Sequence, residues 1–497
     1  MRVRRFGCAW LLIVVATSLR AAGGDTRLVE AVKNGNRTAV RELVRTGAAV
    51  NSPEADGTTA LHWAVRAADR EIVELLLKAG ADAKVANRYG VTPISLAATN
   101  GDAVVIEALL KAGADANTAR PEGETVLMTA ARTGQANAVN VLLAQGAAVN
   151  AKEQWLGETA LMWAAAENHA DVVKLLADHG ADLNAHSNAL KFPKFTYNAS
   201  TMVTTPLPRG GMTALVLAAR EGALAGVRAL IEAGADLNLT DPDGTSPLVM
   251  AIINRHNDVA ALLAEEGADP NVADSTGMAA LYAAVDLRVL GGLINRPTPK
   301  PTSDVDNLDL VKMLLDRGAN PNAQLKFPIL PRYHNSGDKQ LAEGATPLMR
   351  AAKGLDLFVM RELLDRRADP NLTTKNYTTA LLFAAGGGGR NRPEQDIVEA
   401  LALCLDRGAD INAFDNTGAT ALLIAVDRGD TIVKFLAERG ADLDIRDKQG
   451  RTPLDVALGV NGAFAAPGAA PGRVRESTAA LLRQLMGGVS EAAPSLR

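Results

Sequence analysis

The sequence predicts an all-α solenoid of about twelve stacked helix-turn-helix repeats with projecting fingers. Three observations carry this. A phrase of the form T-[PA]-L-x-x-A, loosened in some copies, opens at Thr26, Thr59, Thr92, Thr125, Thr159, Thr213, Ser246, Ala279, Thr346, Thr379, Thr420 and Thr452. Successive openings lie 33, 33, 33, 34, 54, 33, 33, 67, 33, 41 and 32 residues apart. A second phrase, G-A-D-x-N, starts 21 residues after the first in the regular copies. A period near 33 belongs to architectures in which no unit hides its apolar face alone, so neighbours must stack.

Residues 1–24 precede the repeats and differ from them. Arg2, Arg4 and Arg5 make a basic start, Ala9 to Leu19 an apolar stretch, and Ala21, Ala22, Gly23 and Gly24 a small-residue stretch suited to cleavage. That is the layout of a secretory signal peptide, too short for a comfortable membrane span. An uncleaved N-terminal anchor is the alternative. Cys8 precedes most of the apolar core and is misplaced for lipid attachment, and Arg4-Arg5 before Phe6 hints at twin-arginine export.

Within a repeat, Thr59 can accept a backbone N–H and open a helix. Sister copies follow that residue with Pro93, Pro247, Pro347 or Pro453, which at the first helical position forfeits no hydrogen bond. Leu61, Ala64 and Val65 then share one helical face, and the small Ala permits close packing. Asp69 offers a second N-cap, and Ile72, Val73, Leu75, Leu76 and Leu77 supply a more apolar helix. Gly80 ends it, because the C-terminal left-handed position favours a residue without Cβ. The segment from Ala81 to Gly90, of a kind rich in Asp, Asn and Gly in most copies, is expected to turn out and back as a finger.

On these residues the chain resembles the ankyrin-repeat family. The string 59-TALHWA-64 parallels T-P-L-H-x-A, and 180-GADLN-184 parallels G-A-D-V-N, with the likeness covering about residues 25–488. The resemblance implies L-shaped repeats, two helical layers, fingers near right angles to them, and a concave face. It also implies binding of other macromolecules through fingertips and inner helices, and a structural hydrogen bond from His62 near Thr59. The ends are expected to be caps: 25-DTRLVEA-31 is more charged, 474-VRESTAALLRQLMGG-488 has no G-A-D-x-N beyond it, and 489–497 is a tail.

The whole chain carries 52 basic and 56 acidic residues; without residues 1–24 the balance is 48 to 56, a formal charge of −8. An acidic repeat protein without a basic stripe does not suit sequence-blind nucleic-acid binding, so no nucleic-acid partner is expected. After cleavage only Cys404 would remain, among Leu401, Leu403 and Leu405, which makes it a small core residue rather than half of a disulfide. Asn36, Asn198, Asn238, Asn371 and Asn376 lie in N-x-[ST] sequons, but Asn238 and Asn371 occupy the G-A-D-x-N turn, where a glycan would crowd the finger. This favours a bacterial periplasm, or secretion beyond it, over passage through the endoplasmic reticulum. No stable membrane span is expected after signal cleavage.

The breaks in the period place the insertions. Fingers are enlarged at 185–209 and 323–343, and inter-helix loops at 286–307, 386–393 and 459–472. Pro297, Pro299 and Pro301 stiffen the first of those loops, and 386-GGGGR-390 is expected to be slack before Pro393 restarts a helix. Both long fingers contain L-K-F-P and together hold Phe192, Phe195, Tyr197, Phe327 and Tyr333, five of the chain's 18 aromatic residues. Aromatic residues on loops held by a rigid scaffold are candidate binding anchors; equally, they could fold back over the flank of a neighbouring repeat.

A second candidate surface is the polar row after the small residues of each first helix, which the resemblance turns to the concave side. It comprises Arg66, Thr99, Asn100, Arg132, Thr133, Glu167, Asn168, Arg220, Glu221, Asn254 and Arg255. These side chains could grip a protein or peptide edge by charge-assisted hydrogen bonds, or simply be solvated. Arg88, Tyr89, Trp155 and Leu156 add exposed bulk at fingertips, with Trp155 in a finger one residue longer than usual. Trp63 and Trp163 are expected to pack between repeats.

The sequence supplies little for catalysis. It contains no H-E-x-x-H, no paired cysteines after cleavage and no G-x-S-x-G, and His169, His186, His256 and His334 are scattered. The glycine run lacks the Lys-Ser or Lys-Thr of a phosphate cradle, and Asp241 and Asp243 lack the other ligands of a calcium loop. No catalytic residue, metal or cofactor is expected. The reading is an exported scaffold for protein-protein interaction through the concave face and two long aromatic fingers. Its rivals are an inhibitor or immunity-type protein masking one exported enzyme or toxin, and an enzyme assembled from the inserts.

Overall fold

The structure, a computed structural model, describes residues 25–189, 210–289, 304–326, 341, 343–388, 392–460 and 473–490. Among these residues the chain is an all-α repeat solenoid of 24 helices, whose only β pairing is two isolated antiparallel bridges, Ala119 with Thr125 and Phe414 with Thr420. It divides into two compact units, Met1–Ala130 with Asn137–Ala148, and Ala131–Ala136 with Val149–Arg497. Both are built from the same brick.

In that brick a short helix such as Ala60–Arg66 is followed, after a tight turn, by a longer one such as Arg70–Lys78. The openings act as caps: Thr159, Thr213 and Thr346 accept the N–H of Met162, Val216 and Met349 at 3.2–3.3 Å. Asp69, Asp102 and Asp356 do the same for the second helices at 3.1–3.2 Å. Leu61, Val65, Ile72, Val73 and Leu76 are almost fully buried, and each contributes roughly 1.5–3 kcal/mol relative to exposure. Leu75 and Leu77 are half-buried.

A regular brick has left-handed backbone at three places, of which the sequence marks the helix-ending one most clearly. In the repeat opening at Thr92 they are Gly101, Gly113 and Gly123, with φ of 68°, 93° and 86°. The repeat opening at Thr346 fills all three with other residues, Leu355, Arg367 and Tyr377, at φ of 54°, 66° and 61°. A Cβ is disfavoured there, so this repeat is the most strained by backbone.

What joins one brick to the next is the Asn of G-A-D-x-N. Asn51 donates from Nδ2 to Gly80 O at 3.0 Å and accepts the Asp82 N–H on Oδ1 at 2.8 Å. Asn117, Asn150, Asn271, Asn322 and Asn371 repeat both bonds to the following brick. Asn184 accepts from Asp236, 52 residues on, and Asn271 from Asn320, 49 residues on, so the ladder runs on across insertions. Among the described slots that face a further G-A-D-x-N phrase it is broken once: Lys84 stands in the Asn slot facing Asp115, and an ammonium cannot accept a hydrogen bond.

The long fingers are closed at their bases. Ser187 N–H donates to Met212 O at 3.0 Å and Gly211 N–H to Asn188 O at 3.1 Å; Leu325 N–H donates to Ala345 O at 3.0 Å and Gly344 N–H to Leu325 O at 2.7 Å. Two expectations need correction. The helix Ala280–Val289 continues through residues assigned to the 286–307 insertion, because Asp286 forms a buried ion pair with Arg350 of the next repeat, Arg288 meets Asp356 at 2.5 Å, and Val289 packs where Gly354 leaves no side chain. The glycine run is not slack at its start. Gly388 N–H donates to Lys353 O at 3.0 Å, Arg428 donates to Gly387 O at 2.6 Å, and a Cβ on Gly387 would lie 2.8 Å from Ala352 O.

Several expectations lie outside the described residues: the signal segment 1–24, Phe192, Phe195, Tyr197, Phe327 and Tyr333, residues 290–303, 389–391 and 461–472 of the insertions, and 491–497 of the tail. The final described helix, Glu476–Ser490, runs slightly past 488.

Two outcomes follow for stability. Lys84→Asn restores the missing clamp and is expected to stabilise the chain by about 1 kcal/mol, while Asn371→Ala costs about as much or more, both read from urea midpoints. Asp286→Ala leaves a buried guanidinium without its partner and is expected to cost about 3 kcal/mol, with Arg350→Met costing little more in that background. A loss below about 1 kcal/mol for Asp286→Ala would contradict the buried pair.

Candidate partner-binding surface

The polar row predicted after each first helix does not form one equivalent set. Counted from the opening residue, Arg66, Arg132 and Arg220 fall at the seventh position, Asn100 and Glu167 at the eighth, and Arg255 at the ninth. The seventh lies in the last turn of the helix, so Arg66 and Arg132 project into solvent. Arg220 is half-buried and paired with Glu221 at 2.8 Å. Glu167 is the exposed C-cap of Ala160–Ala166. Arg255 occupies the left-handed turn, at φ 64°. Asn100 is already engaged, donating to Val65 O of the preceding repeat at 2.7 Å.

Trp63 and Trp163 bridge repeats through hydrogen bonds and cation–π contacts, and both residues are half-buried. Trp63 Nε1 donates to Glu54 at 2.7 Å while Lys33 of the preceding repeat and Arg66 lie 4.6 and 5.3 Å from its ring centroid. Trp163 copies the arrangement, with Nε1 to Glu158 at 2.8 Å and Arg132 at 5.0 Å. Burial pushes the Glu158 carboxyl above its ordinary range, opposed by the Trp163 bond and helped by Glu153. Cation–π contact holds these guanidinium groups in place before any partner arrives.

At the fingertips, Tyr89 is 60% exposed and Arg88 lies over its ring at 4.9 Å. Trp155 is 75% exposed. Its finger absorbs the extra residue because Glu153 replaces the usual Asp or Asn. One methylene longer, its carboxylate accepts the N–H groups of Trp155, Leu156 and Glu158 at 2.6, 2.7 and 2.9 Å. Sister fingers do this with Asp241, Asp415 and Asp447. The turn is fixed, and the indole is held out.

The histidines are more organised than the sequence suggested. His62 Nδ1 accepts the Thr59 N–H at 3.2 Å and lies 2.9 Å from Thr59 Oγ1, so Nε2 carries the proton and donates to Val91 O of the next repeat at 3.0 Å. Burial pushes its imidazole below the ordinary 6.5. His169 and His256 are not scattered: both stand at the tenth position, where siblings have Asp, and reach back to Arg132 O and Arg220 O at 2.9 and 3.1 Å. Each ring lies over a glycine, Gly134 or Gly222, where a Cβ would clash. The pairing of His at one tenth position with Gly at the preceding repeat's ninth was the signal available in the sequence.

Cys404 is fully buried, and burial pushes its thiol up to about 12. Among the described residues no cluster of three His, Cys, Asp or Glu side chains could hold a metal ion, and no helix is long and apolar enough to cross a membrane. Three exposed aromatics escaped the sequence reading: Phe358 at 68%, Tyr377 at 63% and Phe414 at 58%.

A family model described as "Ankyrin repeats (3 copies)" matches residues 3–87, 94–187, 193–274, 215–325, 302–415 and 390–463. Among curated proteins, the E3 ubiquitin-protein ligase KEG of Arabidopsis thaliana is 26% identical over 234 residues, which is 41% of this chain and 13% of that protein. Ankyrin repeat, SAM and basic leucine zipper domain-containing protein 1 of Mus musculus is 36% identical over 136 residues, 27% of this chain and 24% of that protein. The chain thus spans about a quarter or less of either relative.

Because the folded chain holds His62 neutral below its ordinary value, the unfolded chain binds the extra proton as pH falls. Stability is therefore complete above about 6.5 and declines as pH drops below it. Thermal midpoints between pH 8 and 5 should show this slope in the natural protein and a shallower one in His62→Gln; equal slopes would exclude the assignment.

Proposed function

The chain belongs to the ankyrin-repeat family, and on that premise we propose that it is an exported, non-catalytic scaffold that binds a protein or peptide partner. Ankyrin repeats generally mediate protein-protein interaction. The finer reading assigns docking to the polar row of the first helices, with Arg66 and Arg132 braced on Trp63 and Trp163, and to the fingers, including the two long ones.

The observation that carries it is the exposed, braced fingertip. Trp155 is 75% exposed on a turn locked by three hydrogen bonds to Glu153. A large aromatic residue held out by a rigid turn orders little on docking, so its contact area is not offset by lost freedom. Export is supported by the basic, apolar and small-residue order of positions 1–24.

The test is a crosslinked pull-down from the envelope fraction, comparing the natural protein with Trp155→Ala and with a form lacking 190–209 and 327–340. One enriched partner, weakened in both variants while circular dichroism is unchanged, is expected. Recovery of the same partner at equal yield by all three forms would move the site elsewhere. Retention of the chain in the cytosolic fraction would remove export from the proposal.

A further inference from the structure

Tyr377 differs from the other exposed aromatic residues in the backbone it occupies. Its φ is 61°, in the fingertip slot where Gly90, Gly244, Gly418 and Gly450 stand at 72°, 85°, 82° and 79°. A side chain there is disfavoured, and with 63% of the residue exposed, burial does not offset the strain. The turn holds it regardless: Tyr377 N–H donates to Thr374 O at 2.8 Å, and Thr374 Oγ1 accepts from Asn376 and Thr378 at 3.3 Å.

The neighbouring fingers continue the edge. Asn416 N–H donates to Asn376 O at 2.8 Å, and Lys448 N–H to Thr417 O at 2.9 Å, so three successive tips are linked by backbone. The middle one carries Phe414, 58% exposed. Its carboxylate, Asp415, is taken up by the N–H groups of Thr417 and Ala419, and Asp447 on the next tip by Gln449 and Arg451. Lys375 is paired with Glu343 at 2.9 Å. Exposed Lys448 makes no ion pair among the described residues, and Arg446 adds a second cation. On a chain that is acidic as a whole, these tips present aromatic rings and positive charge.

We propose that Tyr377, Phe414 and Lys448 form a docking edge for an extended protein segment that presents an apolar side chain beside carboxylates. The proposal deepens the scaffold reading and rests on it. The rings supply the apolar contact, and the lysine ammonium selects the acidic flank. A nucleic acid fits less well, because so few cations cannot match a phosphate backbone's charge density.

The experiment selects peptides from a random displayed library on the full chain, then titrates the enriched peptide, synthesised with a fluorophore, against the natural protein and three variants. Enriched peptides are expected to place Asp or Glu beside Phe, Tyr, Trp or Leu. Tyr377→Gly should weaken binding about tenfold or more while raising the thermal midpoint, since glycine relieves the strain. Phe414→Ser should also weaken binding, and Lys448→Glu should abolish the preference for acidic peptides. Equal binding by all variants would overturn this edge and leave the scaffold reading standing. Failure to enrich any peptide, a lowered midpoint for Tyr377→Gly, or tighter binding of a single-stranded oligonucleotide than of the peptide would also overturn it.

Discussion

A single short side chain sets the register of this stack. The carbonyl just past each second helix and the N–H two residues later point the same way, and Asn answers both at once with one donor and one acceptor, as Asn51 does for Gly80 and Asp82. Asp has no donor, and Gln carries its amide one methylene further out. Each hydrogen bond contributes about 0.5–1.5 kcal/mol net, which is modest beside the buried leucines. Its importance is geometric. Apolar faces alone would tolerate sliding, whereas a paired amide fixes how far each brick stands from the next.

That constraint explains where the chain can accept extra residues. Asn184 reaches Asp236, and Asn322 reaches Asp369, as though no insertion lay before or between their repeats, because the finger bases are closed by backbone bonds outside the ladder. Charge strengthens junctions between successive second helices of the second unit. Arg366 meets Asp316 at 2.7 Å, Arg439 meets Asp406 at 2.8 Å, and Arg407 pairs with Asp365. Exposed pairs of this kind contribute little singly, but repetition in register favours the stacked order over alternatives.

The repeat period, both caps and the helix ends were legible because they depend on local chemistry: a hydroxyl before a helix, a carboxylate before the next, a residue without Cβ after it. The ladder was visible only as a recurring Asn, since its partners lie about 30 residues away. The polar row was not legible as one set because adjacent positions on a helix end face different ways, so Asn100 turned to Val65 O while Arg66 projected outward. Helix Ala280–Val289 overran its expected end because its partners, Arg350 and Asp356, lie in the next repeat. His169 and His256 looked scattered for the same reason: their acceptors are carbonyls, which carry no residue type. Tyr377 and Phe414 became candidates only once exposure and φ were known.

The ladder is tested most directly by residue-resolved native hydrogen exchange on the natural protein, comparing the amides that face an Asn with the one that faces Lys84. The N–H groups of Asp82, Ala148, Asp182, Asp269, Asp369 and Asp410 each donate to an Asn Oδ1. They should exchange slowly as a class, with Asp115 markedly faster. Exchange of Asp115 at the same rate as the others would show that the amide does not hold the bricks in register.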